Sequence, residues 1–139
     1  MVEEMYPEQR TVSEVIPSRA QTYLTEAIES IHSPAGAIML TASAVDAMLK
    51  AKGHKDGSLN SRIDQAAVAK MITDEMAAWA HEVRLDANDQ RHADEAMPLP
   101  TQEDAKRTLE FALALAEFIF VLPERVRRGR KNPAPAIAV

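Results

Sequence analysis

Apolar positions recur along this chain at the three-and-four spacing of amphipathic helices, and the residues between them predict where each helix starts and stops. Residues 1–17 show no such period, and Pro7 and Pro17 oppose helix, so this segment is expected to be extended. From Ser18, read as an N-cap, the stripe Ala20, Tyr23, Leu24, Ala27, Ile28 and Ile31 predicts a first helix over 18–32. Ser33 then Pro34 reads as an N-cap with proline at the first helical position, opening a second helix over 34–52. Ile38, Ala42, Val45 and Leu49 line one face of it. Leu40, Ala44, Ala47 and Ala51 lie nearly opposite, and the small residues of that face admit a close neighbour. Gly53 ends the helix, and Gly53 to Gly57 is a polar loop.

A third helix is predicted over 59–70, with Leu59, Ile63, Ala66 and Ala67 inward. Thr73-Asp74-Glu75 opens a fourth over 73–92, whose core stripe is Ile72, Met76, Trp79, Ala80, Val83 and Ala87. Pro98 and Pro100 stop it. Thr101 to Asp104 resembles a capping box and starts a fifth helix over 101–128. Ala105, Leu109, Ala112, Leu113, Ala116 and Phe120 form one stripe of this last helix, and Phe111, Leu115, Phe118 and Leu122 form another across from it. Only a thin strip with Lys106, Glu110 and Glu117 is polar. Such a helix must be buried on both sides, so it is expected to be central in the bundle and to form a dimer interface. The expected fold is all-α, a bundle of about five helices in one domain over 18–130, followed by a flexible tail over 131–139.

Composition narrows the chemistry. A chain of 139 residues suits one domain. With 46% hydrophobic but only 4% aromatic residues, the core must be filled by Ala, Leu, Ile, Val and Met. The absence of cysteine excludes disulfides, thiolate catalysis and Cys-ligated zinc or iron–sulfur sites. The acidic, polar start has no signal-peptide pattern. The longest apolar run, Phe111 to Leu122, contains Glu117 and is too short to span a bilayer. A cytoplasmic protein without a membrane partner is expected. The net charge of -5 disfavours general nucleic-acid binding. The charge is uneven, though: Arg125, Arg127, Arg128, Arg130 and Lys131 fall in one short segment, leaving 11 basic against 21 acidic residues elsewhere. That segment could contact phosphate. Its plainer role is to complement a helix C-terminus ahead of a frayed tail.

The candidate site lies on the fourth helix. At about 100° per residue, with Val83 at zero, Arg84, Asn88, His81 and His92 fall at about 100°, 140°, 160° and 180°. They therefore share a face beside the core stripe. In a functional reading, His92 or His81 moves protons, Arg84 holds a phosphate in a bidentate grip, and Asn88 orients a ring. In a structural reading, Arg84 pairs with an acid, Asn88 bonds a loop and His92 caps the helix end. Metal chemistry has little support. His81-Glu82 begins like the helical zinc motif His-Glu-x-x-His, but Leu85 stands at the second ligand. Glu110 and Glu117 lack the Glu-x-x-His partner of a di-metal bundle. No Gly-rich phosphate loop or Gly-x-Ser-x-Gly elbow is present, and neither a metal nor a cofactor is expected.

Several stretches taken together resemble the domain of unknown function 4145 family. They are Ile31-His32-Ser33-Pro34-Ala35-Gly36-Ala37, the Ala-rich second helix ending Asp46-Ala47-Met48-Leu49-Lys50, Trp79-Ala80-His81-Glu82-Val83-Arg84 with Ala87-Asn88 and His92, and Leu122-Pro123-Glu124-Arg125. The similarity runs from about Tyr6 to Arg130. It implies a HEPN-like bundle, a fold that often forms dimers. HEPN domains occur in RNA-cutting toxins, in antiviral defence systems and as non-catalytic partners of nucleotidyltransferases, and the domain resembled here also occurs fused to restriction enzymes. Catalytic HEPN members carry an Arg, a polar residue, three variable positions and a His. Two protomers join these to cleave RNA without metal, by attack of its own 2′-hydroxyl.

On this chain Asn88 matches the polar position and His92 the histidine, while the arginine position falls on Ala87. Loss of that guanidinium removes the main stabiliser of transition-state charge. Thr41-Ala42-Ser43-Ala44 stands where relatives often carry arginine. Both departures favour a non-catalytic module over an enzyme. The expected function is therefore binding, as an accessory or inhibitor of a nuclease or restriction system in bacterial or phage defence or counter-defence. A homodimer is expected, with a protein partner favoured over RNA. The binding candidates are His81, Arg84, Asn88, Arg91 and His92, with Arg125, Arg127 and Arg128 of the basic segment. The alternative is a metal-independent dimeric ribonuclease with His92 as acid/base, Arg84 as phosphate clamp and Asn88 orienting. A third reading is a structural subunit of a larger assembly.

Overall fold

Side-chain capping sets the starts of three helices. The structure, a computed structural model, describes residues 12–83, 85 and 98–130. In chain order these form α1 (Ser18–Glu29), α2 (Pro34–Ala51), α3 (Leu59–Val68), α4 (Asp74–Glu82), α5 (Gln102–Ala116), a π-helical turn (Glu117–Val121) and α6 (Leu122–Gly129). The protein is all-α, with no strand among the described residues. Ser58 and Thr73 cap α3 and α4 by accepting the backbone N–H of Ser61 and Met76. At α5 the capping box is complete. The Thr101 hydroxyl accepts the Asp104 N–H at 3.1 Å, and the Asp104 carboxylate accepts the Thr101 N–H at 2.9 Å. Pro34 sits in the first turn of α2, as expected, although the Ser33 side chain makes no cap bond.

The start of α1 differs from the expectation. Pro17, not Ser18, is the N-cap, with its carbonyl accepting the Gln21 N–H at 2.9 Å. The residues just before it are not simply extended. Residues 13–16 turn, Ile16 is buried, and the Gln21 side-chain amide donates to the Ile16 carbonyl at 2.6 Å. Burying Ile16 under α1 is what bends this stretch. The remainder of the expected extended segment, residues 1–11, lies outside the described residues, as does the predicted tail 131–139.

Two helices end in the same hydrogen-bond pattern with different residues at its left-handed position. After α2, the His54 N–H bonds the Leu49 carbonyl and the Gly53 N–H bonds the Lys50 carbonyl, with Gly53 at φ 96°. After α3, Met71 bonds Ala66 and Lys70 bonds Ala67, with Lys70 at φ 66°. Both are Schellman closures. Gly53 adopts its φ freely, whereas Lys70 has a Cβ that crowds there.

The centre of the bundle is α2, not the last helix as its all-round apolar pattern suggested. α2 packs against α1 on one side and α5 on the other. Ala37, Ile38, Ala42, Ala44, Val45, Met48 and Leu49 are all buried. The alanines keep it slim enough to be covered twice. Thr41, fully buried, satisfies its hydroxyl by donating to the Ala37 carbonyl at 2.7 Å. Leu24 of α1 and Phe111 and Leu115 of α5 close the core, and Phe111 meets Trp79 of α4 edge-on, with ring centroids 5.3 Å apart.

The helix expected to run unbroken over 101–128 changes pitch before Pro123. That residue has no N–H to give the Ile119 carbonyl, and its ring would crowd it. The chain widens instead, and the Leu122 N–H reaches the Glu117 carbonyl five residues back. One extra residue per turn rotates α6 away from the core. Ile119 is the last buried side chain among the described residues, and α6 buries none.

The fourth helix stops ten residues short of its expected end. Val83 is extended, at φ -96° and ψ 169°. On an unbroken helix Leu85 would lie about 200° from Val83, across from the core stripe. Ending at Glu82 lets the chain swing Leu85 inward, where it is only 2% exposed. Burial of a leucine outweighs continuation of a weak local helix.

Candidate functional site

α4 ends at Glu82, so of His81, Arg84, Asn88 and His92, the residues expected to share one face, it carries His81 alone. Arg84, Asn88, Arg91 and His92 lie outside the described residues. The His81 ring is held by α3, with its Nε2 2.8 Å from the Asp64 carboxylate. This contact ties the last turn of α4 to the middle of α3. Among the described residues, no three His, Asp or Glu side chains gather into a metal-binding group.

The arginines of the basic segment are partly answered by carboxylates on the same face of the chain. Arg125 donates to Glu117 at 3.2 Å across the π turn. Arg127 grips Glu124 with two donors, Nε at 3.1 Å and Nη2 at 2.6 Å, and Arg128 adds a third at 3.0 Å. The hydrogen-bonded Arg127 guanidinium, joined by Arg128 and opposed only by partial desolvation, holds the Glu124 carboxyl down at about 2. Arg127 is pushed up in turn by its bond to Glu124. A phosphate binding here would have to displace carboxylates already in place.

Between these ion pairs runs an apolar strip. Phe118, Leu122 and Val126 are 36%, 40% and 51% exposed, one turn apart on the same side. The strip runs from the π turn onto α6, flanking and then passing beyond the buried Ile119. Glu117 and Arg125 border one edge of the strip, one at each end.

The residues that sequence reasoning passed over lie between α2 and α3. Asp46 forms an ion pair with the Arg62 guanidinium of α3 and with Lys50 one turn along α2, the latter at 3.1 Å. Arg62 is 7% exposed, and its Nη1 is buried without a hydrogen-bond partner. A signal was present: Arg62 follows Leu59 by three and precedes Ala66 by four, which puts it on the inward stripe of α3. A charged residue on such a stripe needs a buried partner.

No described helix is long and apolar enough to cross a membrane. Among known families, the one described as a domain of unknown function, 4145, matches residues 25–132. No curated protein and no solved structure matches the chain.

Proposed function

The chain belongs to the domain of unknown function 4145 family, and on that footing we propose that it is a non-catalytic, HEPN-like interaction module. It works in the cytoplasm as an accessory or inhibitor of a nuclease or restriction system, in bacterial or phage defence or counter-defence. The observation that carries the interaction reading is the exposed strip Phe118, Leu122, Val126, which runs from the π turn onto α6, a helix that buries nothing of its own. Its occupant is a second copy of the chain. An antiparallel pairing centred on Leu122 sets Phe118 against Val126 of the other copy. It also carries each Glu117 towards the other copy's Arg125, so both the apolar strip and its charged edge are self-complementary. The carboxylates already on Arg125, Arg127 and Arg128 favour a protein partner over RNA. The alanine at position 87, where catalytic relatives carry arginine, favours binding over cleavage.

Light scattering should give a dimer mass for the wild type and a monomer mass for Leu122→Glu, with unchanged helicity and melting. RNA incubated with the wild type in EDTA should stay intact. A monomeric wild type overturns the self-pairing. RNA cleavage that a folded His92→Ala variant lacks overturns the non-catalytic reading in favour of a ribonuclease.

A further inference from the structure

A groove of about 340 Å³ runs between α1 and α2, away from the terminal strip and from His81. Arg19 and Tyr23 of α1 form one wall, and Ser43, Asp46, Ala47 and Lys50 of α2 form the other. We propose that this groove binds the phosphate group of a small phosphate monoester, at Arg19 and Lys50, with the Tyr23 and Ser43 hydroxyls as further donors.

Charge is the first argument. The protein is acidic as a whole, yet the groove is lined by two cations and one carboxylate. That carboxylate is already bound by Arg62, a third cation reaching it from α3. The buried Nη1 of Arg62 has no acceptor, so its charge is not otherwise answered. A further acid, Glu26, lies in the depression on the other side of Arg19 and Tyr23. With Arg62 answering Asp46 and Glu26 set beside Arg19, the local balance is one positive charge in excess in a concave surface, which concentrates anions.

Availability is the second. Asp46 occupies Lys50 through only one oxygen, at 3.1 Å, and the Lys50 side chain is 53% exposed. Arg19 has no ion-pair partner among the described residues, and the Tyr23 and Ser43 hydroxyls are half-buried without one. A phosphate offers acceptors to all four at once, and charge-assisted bonds to a dianion are the strong kind. The third is size. The volume stands at the small end of ligand pockets, roughly 300–1,000 Å³, which suits a mononucleotide and not a polymer.

The test is a titration of the full chain with inorganic phosphate and with adenosine 5′-monophosphate at low ionic strength, read by amide chemical shifts. Both should move resonances of α1 and α2 around Arg19 and Lys50. The Lys50→Gln and Arg19→Gln variants, changed only at exposed side chains, should fold normally and bind roughly tenfold more weakly. Tighter binding of the nucleotide than of phosphate assigns the organic part of the ligand to the Tyr23 wall, and equal binding assigns the site to the phosphate alone. Shifts that are absent, unsaturable, or unchanged in both variants overturn the proposal.

Discussion

Removing Asp46 should damage this protein more than removing the arginine it serves. Arg62 keeps only 8% of its side chain exposed, and its Nη1 is already unpartnered. In Asp46→Ala its Nη2 loses its acceptor as well, leaving the long contact of Nε to the Ser58 carbonyl at 3.5 Å. Breaking a fully buried pair from one side costs about 3–5 kcal/mol. Here the Asp46 side chain is 31% exposed, so water can enter where it stood. The expected loss is therefore smaller, about 2–3 kcal/mol, the range for a hydrogen bond to a charged group. For a chain of this size that corresponds to a fall in Tm of roughly 6–12 °C. Arg62→Met is a different perturbation. It removes the buried charge and its orphaned donor together and leaves Asp46 to Lys50, so it should stay within about 1 kcal/mol of wild type. The double variant should resemble Arg62→Met. Urea unfolding followed by far-UV circular dichroism, with equal slopes across the set, measures all three. The reasoning is refuted if Asp46→Ala is no less stable than Arg62→Met, or if the double variant is as unstable as Asp46→Ala.

Two further predictions concern local geometry and charge. Lys70→Gly should raise stability by about 0.5–1 kcal/mol, because it relieves a Cβ at φ 66° while keeping the Schellman bonds; an unchanged or lower urea midpoint would contradict it. The Glu124 carboxyl is depressed from 4.5 to about 2, so the stability contributed by its pairing with Arg127 and Arg128 is complete above pH 4.5 and declines as pH falls towards 2, where the folded protein's carboxylate takes up its proton. The Arg127 and Arg128 side-chain NMR signals of the folded protein should shift with a midpoint at about 2 and stay flat near 4.5, and should show no such step in Glu124→Gln.

What could be read from the sequence was whatever is decided within a turn or two of chain. Thr73 and Thr101 each satisfy a backbone N–H three residues on, and Gly53 takes a φ that needs no neighbour's help, so these boundaries stand where the pattern put them. The all-α class follows from the same local periodicity. The misplaced features each turn on a contact distant in sequence. An unbroken period through Val83 and Ala87 concealed the end of α4, because burial of Leu85 decides it. Pro123 was visible, but whether the chain would kink, stop or widen there depends on packing on either side of it. α4 ends at Glu82 with His81 turned to Asp64, seventeen residues back, while Arg84, Asn88 and His92 of the expected face lie outside the described residues.

The sequence by itself therefore determined the fold class, the helix starts and the apolar faces available for burial, since propensity, capping and periodicity act between neighbours in the chain. Only the tertiary structure decided which helix lies at the centre, which carboxylate answers Arg62, and which apolar stripe is left to solvent. Those outcomes depend on competition among distant surfaces for the same buried space. The alanine-lined α2 can be covered on two sides, while the extra residue of the π turn carries Leu122 and Val126 out of reach of the core.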